Sequence, residues 1–163
     1  MIYLIMIPLL FLFDQISKYF TVKFLDEFES VNIIGNLLDF THIHNTGGPW
    51  SIFDDKPYIF IIMTVVIFVA GFLYFRKNKP RHILNKLSIC LIAGGALGNF
   101  ADRLMRGYVV DMIDVNLFNY PVFNVADCSI VVGAGLLILY FVLDSIREYK
   151  QKKPQGSQEE SDG

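Results

Sequence analysis

Apolar residues along this chain fall in four long blocks, and most charged residues lie in the gaps between them. The clearest block, residues 57–75, contains nineteen residues without a charge, close to the roughly 20 that cross a bilayer core. Three further blocks carry a few polar residues. The pattern predicts an all-α integral membrane protein with four transmembrane helices, at about residues 2–20, 57–75, 87–103 and 127–145.

A cleaved signal peptide is the alternative for the first block. That block lacks a basic start, and Asp14-Gln15-Ile16-Ser17-Lys18 stands where a small-residue cleavage site would follow, which favours a retained helix. In the third block, glycine and alanine at positions 93–98 predict close contact with a neighbouring helix.

The composition further restricts the class of protein to which this chain can belong. A length of 163 residues suits one domain, and 53 % of them are hydrophobic. We expect a single membrane-embedded domain over residues 1–150 and a disordered polar tail over 151–163. A net charge of −2 provides no basic footprint for nucleic acid. Cys90 and Cys128 form no CxxC, so neither a disulfide framework nor a zinc site is indicated.

Basic residues indicate the orientation. They concentrate between the second and third blocks and after the fourth, which the positive-inside rule places in the cytoplasm together with both termini. The residues concerned are Arg76, Lys77, Lys79, Arg81, Lys86, Arg147, Lys150, Lys152 and Lys153. Segments 21–56 and 101–126 then face outward. β-prone runs on both sides of Gly35-Asn36, and a third at 108–115, predict a small β-cradle at the outer membrane face.

Polar side chains meet at one depth of the predicted bundle. Asp14 and Asn99 each lie roughly 20 Å along their helices from the cytoplasmic side, at 1.5 Å per residue, and Asp127 marks the outer end of the fourth block. Ionisable groups inside a membrane are costly, so each is a candidate functional residue. An N-cap is the simpler role for Asp127.

The end of the third block has two interpretations. Asn99 and Arg103 are four residues apart and share a helix face. They form either a helix-terminal cluster, with Arg103 paired to Asp102 or extended to the headgroups, or a scaffold for catalytic carboxylates or a substrate backbone.

The loop before the fourth block supplies candidate carboxylates. On the strand at 108–115, Asp111 shares a face with Val109 and Ile113, whereas Asp114 lies on the other face, so Asp111 is the better candidate for a desolvated group. Two close aspartates cannot both ionise easily, so a pair of carboxylates in different surroundings would suit acid–base hydrolysis.

Segment 42–51 is also polar. It is either a turn that leads to an interfacial Trp50 or a set of hydrogen-bonding groups around Asn45, Thr46 and Gly47. His42 and His44 lack an HExxH or a compact ligand set, so we predict no metal site and no cofactor.

Three other classes compete. A transporter would need polar residues in both leaflets, and the inner halves of the first three blocks are nearly uncharged. A structural assembly protein gives no reason for polar groups at one depth. A rhomboid-like serine protease would need a Gly-x-Ser deep in one span and a histidine in another, and neither occurs.

Five motifs, in order, resemble the bacterial lipoprotein signal peptidase (signal peptidase II) family. They span residues 14 to about 133 and comprise Asp14-Gln15-Ile16-Ser17-Lys18, Asn45-Thr46-Gly47, Gly94-Gly95-Ala96-Leu97-Gly98-Asn99 with Asp102-Arg103, Gly107-Tyr108-Val109-Val110-Asp111, and Phe123-Asn124-Val125-Ala126-Asp127.

The resemblance implies a membrane-embedded aspartic endopeptidase without metal or cofactor, in the bacterial cytoplasmic membrane with its site near the outer face. Its substrate would be a prolipoprotein carrying a diacylglyceryl-modified cysteine, cleaved just before that cysteine; globomycin-type peptides would bind the site, and the protein would act as a monomer among membrane lipids. Asp111 and Asp127 become the catalytic pair. The surrounding shell becomes Asp14, Lys18, Asn45, Gly47, Asn99, Arg103 and Asn124.

Two positions depart from the family pattern. Gly48-Pro49-Trp50 stands where Ala-Ala-Phe is usual, and Pro49 removes a backbone donor and fixes φ. Met112 stands where Phe commonly follows the first catalytic aspartate, which implies a change in packing at the edge of the cradle.

Overall fold

The computed structural model describes residues 2–47, 56–78, 82–117 and 120–152. Four helices and three strands follow one another along the chain. They are α1 (Ile2–Phe24), β1 (Ser30–Ile34), β2 (Leu38–Asn45), α2 (Pro57–Asn78), α3 (Ile83–Arg106), β3 (Val109–Val115) and α4 (Val125–Lys152).

Among the described residues, three helices are long and apolar enough to cross a membrane: Ile5–Phe24, Ile83–Arg106 and Val125–Gln151. The apolar stretch of α2, Tyr58–Tyr74, is shorter. A multi-pass membrane protein is therefore confirmed, whereas the span assigned to α2 remains a prediction. Each helix extends beyond its predicted block because polar residues at its ends, such as Lys23 on α1 and Arg106 on α3, continue the helix.

Glycines allow the helices to approach closely, as the third block predicted. A Cβ on Gly94 would lie 2.7 Å from Leu10 Cβ on α1, and a Cβ on Gly133 would lie 2.9 Å from the Ser88 carbonyl on α3. A Cβ on Gly95 would collide with the backbone carbonyl of Ala126 on α4. The α3–α4 and α1–α3 contacts thus require hydrogen in place of a side chain.

The strands form one antiparallel sheet in the order β1-β2-β3. Gly35, at φ +45°, turns the β1–β2 hairpin, and Gly107, at φ +81°, ends α3 and redirects the chain into β3. The predicted small sheet is confirmed. Residues 42–45, which the sequence suggested as part of a turn, belong to β2 instead, because the strand continues to Asn45 in register with β3.

Burial is inverted relative to a water-soluble protein. Large apolar side chains such as Leu9, Ile62 and Val131 are 58–65 % exposed on the helix surfaces, where lipid would cover them. The most buried side chains are largely polar and lie where the helix ends meet the sheet: Asp14, Lys18, Asn99, Asp102, Asp111 and Asn124.

Several sequence interpretations lie outside the described residues. They concern the Gly48-Pro49-Trp50 departure, the interfacial role of Trp50, and the predicted tail from Lys153 onward. Gln151 and Lys152, assigned to the tail, instead form the end of α4.

Candidate active site

A fully buried lysine joins α1 to α3. Lys18 Nζ lies 2.8 Å from Asp14 Oδ2, one turn earlier on α1, and 2.8 Å from Asp102 Oδ2 on α3. It also donates to Asn99 Oδ1 at 2.9 Å. A buried ion pair is stable only when its remaining polar atoms are bonded, and the second oxygen of Asp14 accepts from the Ala126 backbone N–H at 2.9 Å.

Asp111, on β3, is 1 % exposed and accepts two amide hydrogen bonds. Asn45 Nδ2 donates to its Oδ2 at 2.7 Å, and Asn124 Nδ2 donates to its Oδ1 at 2.6 Å. The sheet register explains the first contact. Ile43 pairs with Asp111 and Asn45 with Val109, so Asn45 and Asp111 are diagonal neighbours on one face.

Asp127 and Asn124 bond reciprocally at the start of α4. Asn124 Oδ1 accepts from the Asp127 backbone N–H at 3.0 Å, while Asp127 Oδ2 accepts from the Asn124 backbone N–H at 3.3 Å. This is a capping box. The N-cap is therefore Asn124, and the N-cap role suggested for Asp127 is wrong because the helix begins three residues earlier than that role requires. Asp127 Oδ1 instead accepts from Asn99 Nδ2 at 2.7 Å.

The orientation of all three asparagine amides follows from their partners. Asn99 presents oxygen to Lys18, which has no lone pair to offer, so its NH₂ group must face Asp127. Asn45 Oδ1 accepts from the Gly47 N–H at 3.2 Å, which leaves its NH₂ for Asp111. Asn124 is fixed in the same way by its capping oxygen. Each carboxylate thus receives two neutral donors.

Asp111 is poised to hold a proton near neutral pH. Burial and the nearby charge of Asp127 raise the pKa of Asp111 to about 7, against the lowering effect of the Asn45 and Asn124 hydrogen bonds. A carboxyl pair with such a pKa can carry one shared proton at pH 7.

Both carboxylates line one cleft of about 190 Å³. Its polar rim includes Asn45, Asn99 and Arg103, and its walls are mainly apolar: Val109, Tyr120, Pro121, Val122, Phe123, Ile130 and Val131. Arg103 reaches this cleft from α3. Its guanidinium carbon lies 4.5 Å from the centre of the Phe60 ring on α2, and its Nη1 is 3.4 Å from the Asn99 carbonyl.

Arg103 does not form the suggested ion pair with Asp102. The two cations within salt-bridge distance of Asp102 are Lys18, at 2.8 Å, and Arg106, at 3.7 Å. Arg103 Nε is buried and has no hydrogen-bond partner among the described residues. One N–H of this guanidinium therefore lacks an acceptor among the described residues.

Most sequence-predicted site residues come together in this network. It joins Asp14, Lys18, Asn99, Asn124, Asp111 and Asp127 by direct contacts, Asn45 and Gly47 complete the Asp111 side, and Arg103 lines the cleft.

Sequence reasoning missed two contributors. Asp102 is the second carboxylate on Lys18, and Gln15 Nε2 lies 3.2–3.3 Å from Asp14, the Gly98 carbonyl and Asp102. The spacing of Asp102 three residues after Asn99 was the available signal, because it puts both on one helix face.

His42 and His44, which the sequence analysis considered as metal ligands, each contact an oxygen atom of a nearby residue. His42 Nδ1 is 2.9 Å from the Leu25 carbonyl and His44 Nδ1 is 3.0 Å from Glu27, so they tie the sheet to the end of α1. Across the described part of the chain, no group of three His, Cys, Asp or Glu side chains is arranged to hold a metal ion.

Comparisons with known proteins agree with this architecture. Residues 6–143 match the family model described as signal peptidase (SPase) II. The chain is 38 % identical to the lipoprotein signal peptidase of Enterococcus faecalis (strain ATCC 700802 / V583), over 88 % of this chain and 89 % of that protein. It is 39 % identical to the lipoprotein signal peptidase of Staphylococcus aureus (strain JH9), over 82 % and 83 %.

Two solved structures share the fold. A bacterial membrane enzyme solved by the in meso method at 2.3 Å superposes with a TM-score of 0.84 at 31 % identity, covering 95 % of this chain and 93 % of that one. A second, solved at 1.9 Å, gives 0.78 at 33 % identity, covering 85 % and 91 %. With its family model matched across nearly all the helices and sheet, this chain belongs to the signal peptidase II family.

Proposed function

We propose that this protein is a membrane-embedded aspartic endopeptidase that cleaves prolipoproteins immediately before a diacylglyceryl-modified cysteine. Membership of the signal peptidase II family supports the removal of signal peptides from prolipoproteins. The aspartic mechanism and the position of the cut are the finer parts of the proposal. They rest on the residues of the cleft.

One observation carries the catalytic assignment. Asn124 donates from its side chain to Asp111 at 2.6 Å and from its backbone to Asp127 at 3.3 Å, so a single residue holds both carboxylates at one cleft. Their surroundings differ, since Asp111 is 1 % exposed and Asp127 is half-buried. Unequal surroundings separate the roles of acid and base.

The reaction then follows from one shared proton. The ionised carboxylate takes a proton from water as the water oxygen bonds to the scissile carbonyl carbon, and the protonated carboxyl gives its proton to the carbonyl oxygen. The tetrahedral intermediate collapses and the C–N bond breaks. The leaving cysteine amine takes up the proton that the base accepted, and one hydroxyl of the intermediate returns its proton to the carboxylate that had acted as acid. This step leaves a carboxylic acid product and restores the shared proton.

The rest of the cleft suits the substrate class. Its apolar walls match an uncharged peptide segment, and Arg103, with a free Nε–H among the described residues, can donate to a substrate backbone carbonyl. The cleft lies where the helix ends meet the sheet, so the acyl chains of the substrate remain in the bilayer while its peptide enters the site. Globomycin-type peptides would occupy the same cleft.

The membrane arrangement completes the proposal. We assign α2 as the second of four spans, and we place the C-terminal end of α2, the start of α3 and the C-terminal end of α4 in the cytoplasm, which puts the cleft near the outer face. The protein acts as a monomer, without metal or cofactor.

The test is a gel-shift cleavage assay with purified full-length protein in detergent. The substrate is a diacylglyceryl-modified prolipoprotein, and the unmodified form is run beside it. Asp111→Asn and Asp127→Asn should each reduce turnover about 10³-fold or more, while Asp114→Asn, a partly exposed aspartate on the same strand, should keep most of it. Thermal unfolding verifies that each variant is folded.

Turnover by a folded Asp111→Asn or Asp127→Asn variant would reject the catalytic pair. Equal loss in Asp114→Asn would mean that the wrong strand face was chosen. Equal cleavage of the unmodified prolipoprotein would reject the lipid-dependent substrate.

A further inference from the structure

A second, larger cleft lies at the other end of the bundle. Its volume is about 710 Å³, and all four helices line it. Its walls are almost entirely apolar and include Phe68, Gly71 and Phe72 on α2, Ile89 and Ile92 on α3, and Phe141 on α4. Asn85, which also lines it, is fourteen residues from Asn99 on α3, about 21 Å along the helix. The two clefts share no lining residue and are separate sites.

One polar atom in this cleft is unsatisfied. Asn85 is 3 % exposed, and its Oδ1 is buried without a hydrogen-bond partner among the described residues. A buried acceptor without a donor costs free energy, and such groups in proteins are nearly always bonded. The atom therefore indicates an occupant that brings a hydrogen-bond donor into an otherwise apolar cleft.

Basic side chains surround the same end. Arg76 lies one turn beyond Phe72, with its guanidinium carbon 6.0 Å from that ring. Lys86 precedes Ile89 by three residues, so the two share a helix face. Among the side chains that the structure describes, five basic and two acidic ones lie at this end of the helices: Arg76, Lys77, Lys86, Arg147 and Lys150 against Asp144 and Glu148.

We infer that this cleft is a binding site for an anionic phospholipid with a hydroxylated headgroup. One acyl chain fills the apolar cleft, the phosphate lies near Arg76 and Lys86, and a headgroup hydroxyl donates to Asn85 Oδ1. Basic pockets between transmembrane helices are a general way to hold anionic headgroups. By the positive-inside rule the lipid comes from the cytoplasmic leaflet.

The positive charge at this end of the helices argues against a signal peptide as the occupant of the cleft. Under the proposed function, the signal peptide of the substrate also presents a long apolar segment. Signal peptides begin with a positively charged region, which the five described basic side chains would repel. A lipid phosphate carries the complementary charge.

Native mass spectrometry of the full chain in detergent tests this site without substrate. The probes are dioleoyl phosphatidylglycerol and dioleoyl phosphatidylcholine, which have the same acyl chains. We expect the wild type to retain phosphatidylglycerol in preference. Arg76→Gln and Lys86→Gln should each weaken that binding about fivefold, and Asn85→Leu should weaken it while leaving phosphatidylcholine binding unchanged.

Matched substitutions at two glycines distinguish lipid binding in the cleft from lipid binding elsewhere on the helix surface. A Cβ on Gly71 or on Gly135 would meet nothing within 4 Å, so a side chain can be started at either position without a clash at Cβ. Gly71 lines the cleft, whereas Gly135 is exposed on α4. Gly71→Leu should abolish lipid retention, and Gly135→Leu should leave it as in the wild type.

Equal retention of the two phospholipids would overturn the inference, as would wild-type retention by Gly71→Leu or equal loss in Gly135→Leu. The charge variants leave the cleft volume intact, so they test the headgroup site even where Gly71→Leu folds poorly. Because no cleavage is measured, failure here and failure of the proposed peptidase are distinguishable.

Discussion

Lys18 Nζ lies 2.9 Å from Asn99 Oδ1, and this contact directs the other end of the Asn99 amide to Asp127, at 2.7 Å. An ammonium group only donates. Asn99 must therefore present oxygen to Lys18 and nitrogen to the carboxylate. Lys18 on α1 thus determines which end of the Asn99 amide meets Asp127, a proposed catalytic aspartate on α4, although Lys18 and Asp127 are not in contact.

Removing Lys18 should destabilise the fold. Lys18→Met leaves Asp14 buried without a cation and Asp102 with only Arg106, at 3.7 Å, so we expect the free energy of unfolding to fall by about 3–5 kcal/mol. Thermal or denaturant unfolding in detergent measures this. Lys23→Met, at an exposed position on the same helix, should change stability by no more than about 0.5 kcal/mol. Equal stability of the two variants would contradict the role of Lys18.

The pH dependence of cleavage should have an alkaline limit near 7. Because the pKa of Asp111 is raised to about 7, the carboxyl pair loses its shared proton as the pH rises through that value. We expect kcat/KM to fall about tenfold per pH unit well above it. The pH profile of wild-type cleavage checks this.

Asn45 should influence the pH at which the alkaline limit of cleavage lies. Its hydrogen bond to Asp111 lowers the pKa of the carboxyl, so Asn45→Ala should move the alkaline limit to higher pH while kcat falls. A structural role alone would reduce activity equally at every pH. An unmoved limit would therefore reject Asn45 as a positioning residue.

Arg103 should not tolerate replacement by lysine. A lysine cannot both stack on Phe60 and reach the Asn99 carbonyl as the guanidinium does. We expect Arg103→Lys to lose about tenfold in kcat/KM. Arg106→Lys, one turn later and partly exposed, is the matched control and should lose less. Normal cleavage by Arg103→Lys would leave Arg103 as a headgroup anchor only.

The glycine at the centre of the α1–α3 contact should resist substitution. A Cβ on Gly98 would collide with the Asp14 carboxylate, which Lys18 and the Ala126 N–H hold in place. Gly98→Ala should cost about 1–3 kcal/mol of unfolding free energy. Gly135→Ala, on a lipid-facing helix surface, should be neutral or gain up to about 1 kcal/mol. If both variants unfold alike, the contact is not close-packed.

Much of this arrangement could be predicted from periodicity and spacing. The hydrophobic blocks located all four helices, because a long apolar run has few alternatives to a helix in lipid. The Gly35-Asn36 hairpin and the strand at Asp111 followed from turn and strand propensity. Polar residues at one depth of separate blocks identified a shared site, because their burial in lipid is costly unless they meet.

The sequence did not allow us to predict which polar side chains bond to one another. Asp102 had the neighbouring Arg103 as its obvious cation, yet its partners are Lys18 and Arg106. Asp127 looked like an N-cap, yet Asn124 caps the helix and Asp127 accepts from its backbone. Such choices depend on which helix faces meet and on a start that shifts by three residues, and neither is encoded in local spacing.

By itself, the sequence determined the apolar helices, the small sheet and the polar residues that meet in one network, because hydrophobic burial and backbone hydrogen bonding act locally along the chain. Tertiary structure alone decided that Lys18 bonds to two carboxylates and one amide, and that Asn124 contacts both Asp111 and Asp127. The reason is that hydrogen bonds are directional and short-ranged, so their pairing is fixed only once the packed helices bring distant residues within 3 Å or so of each other.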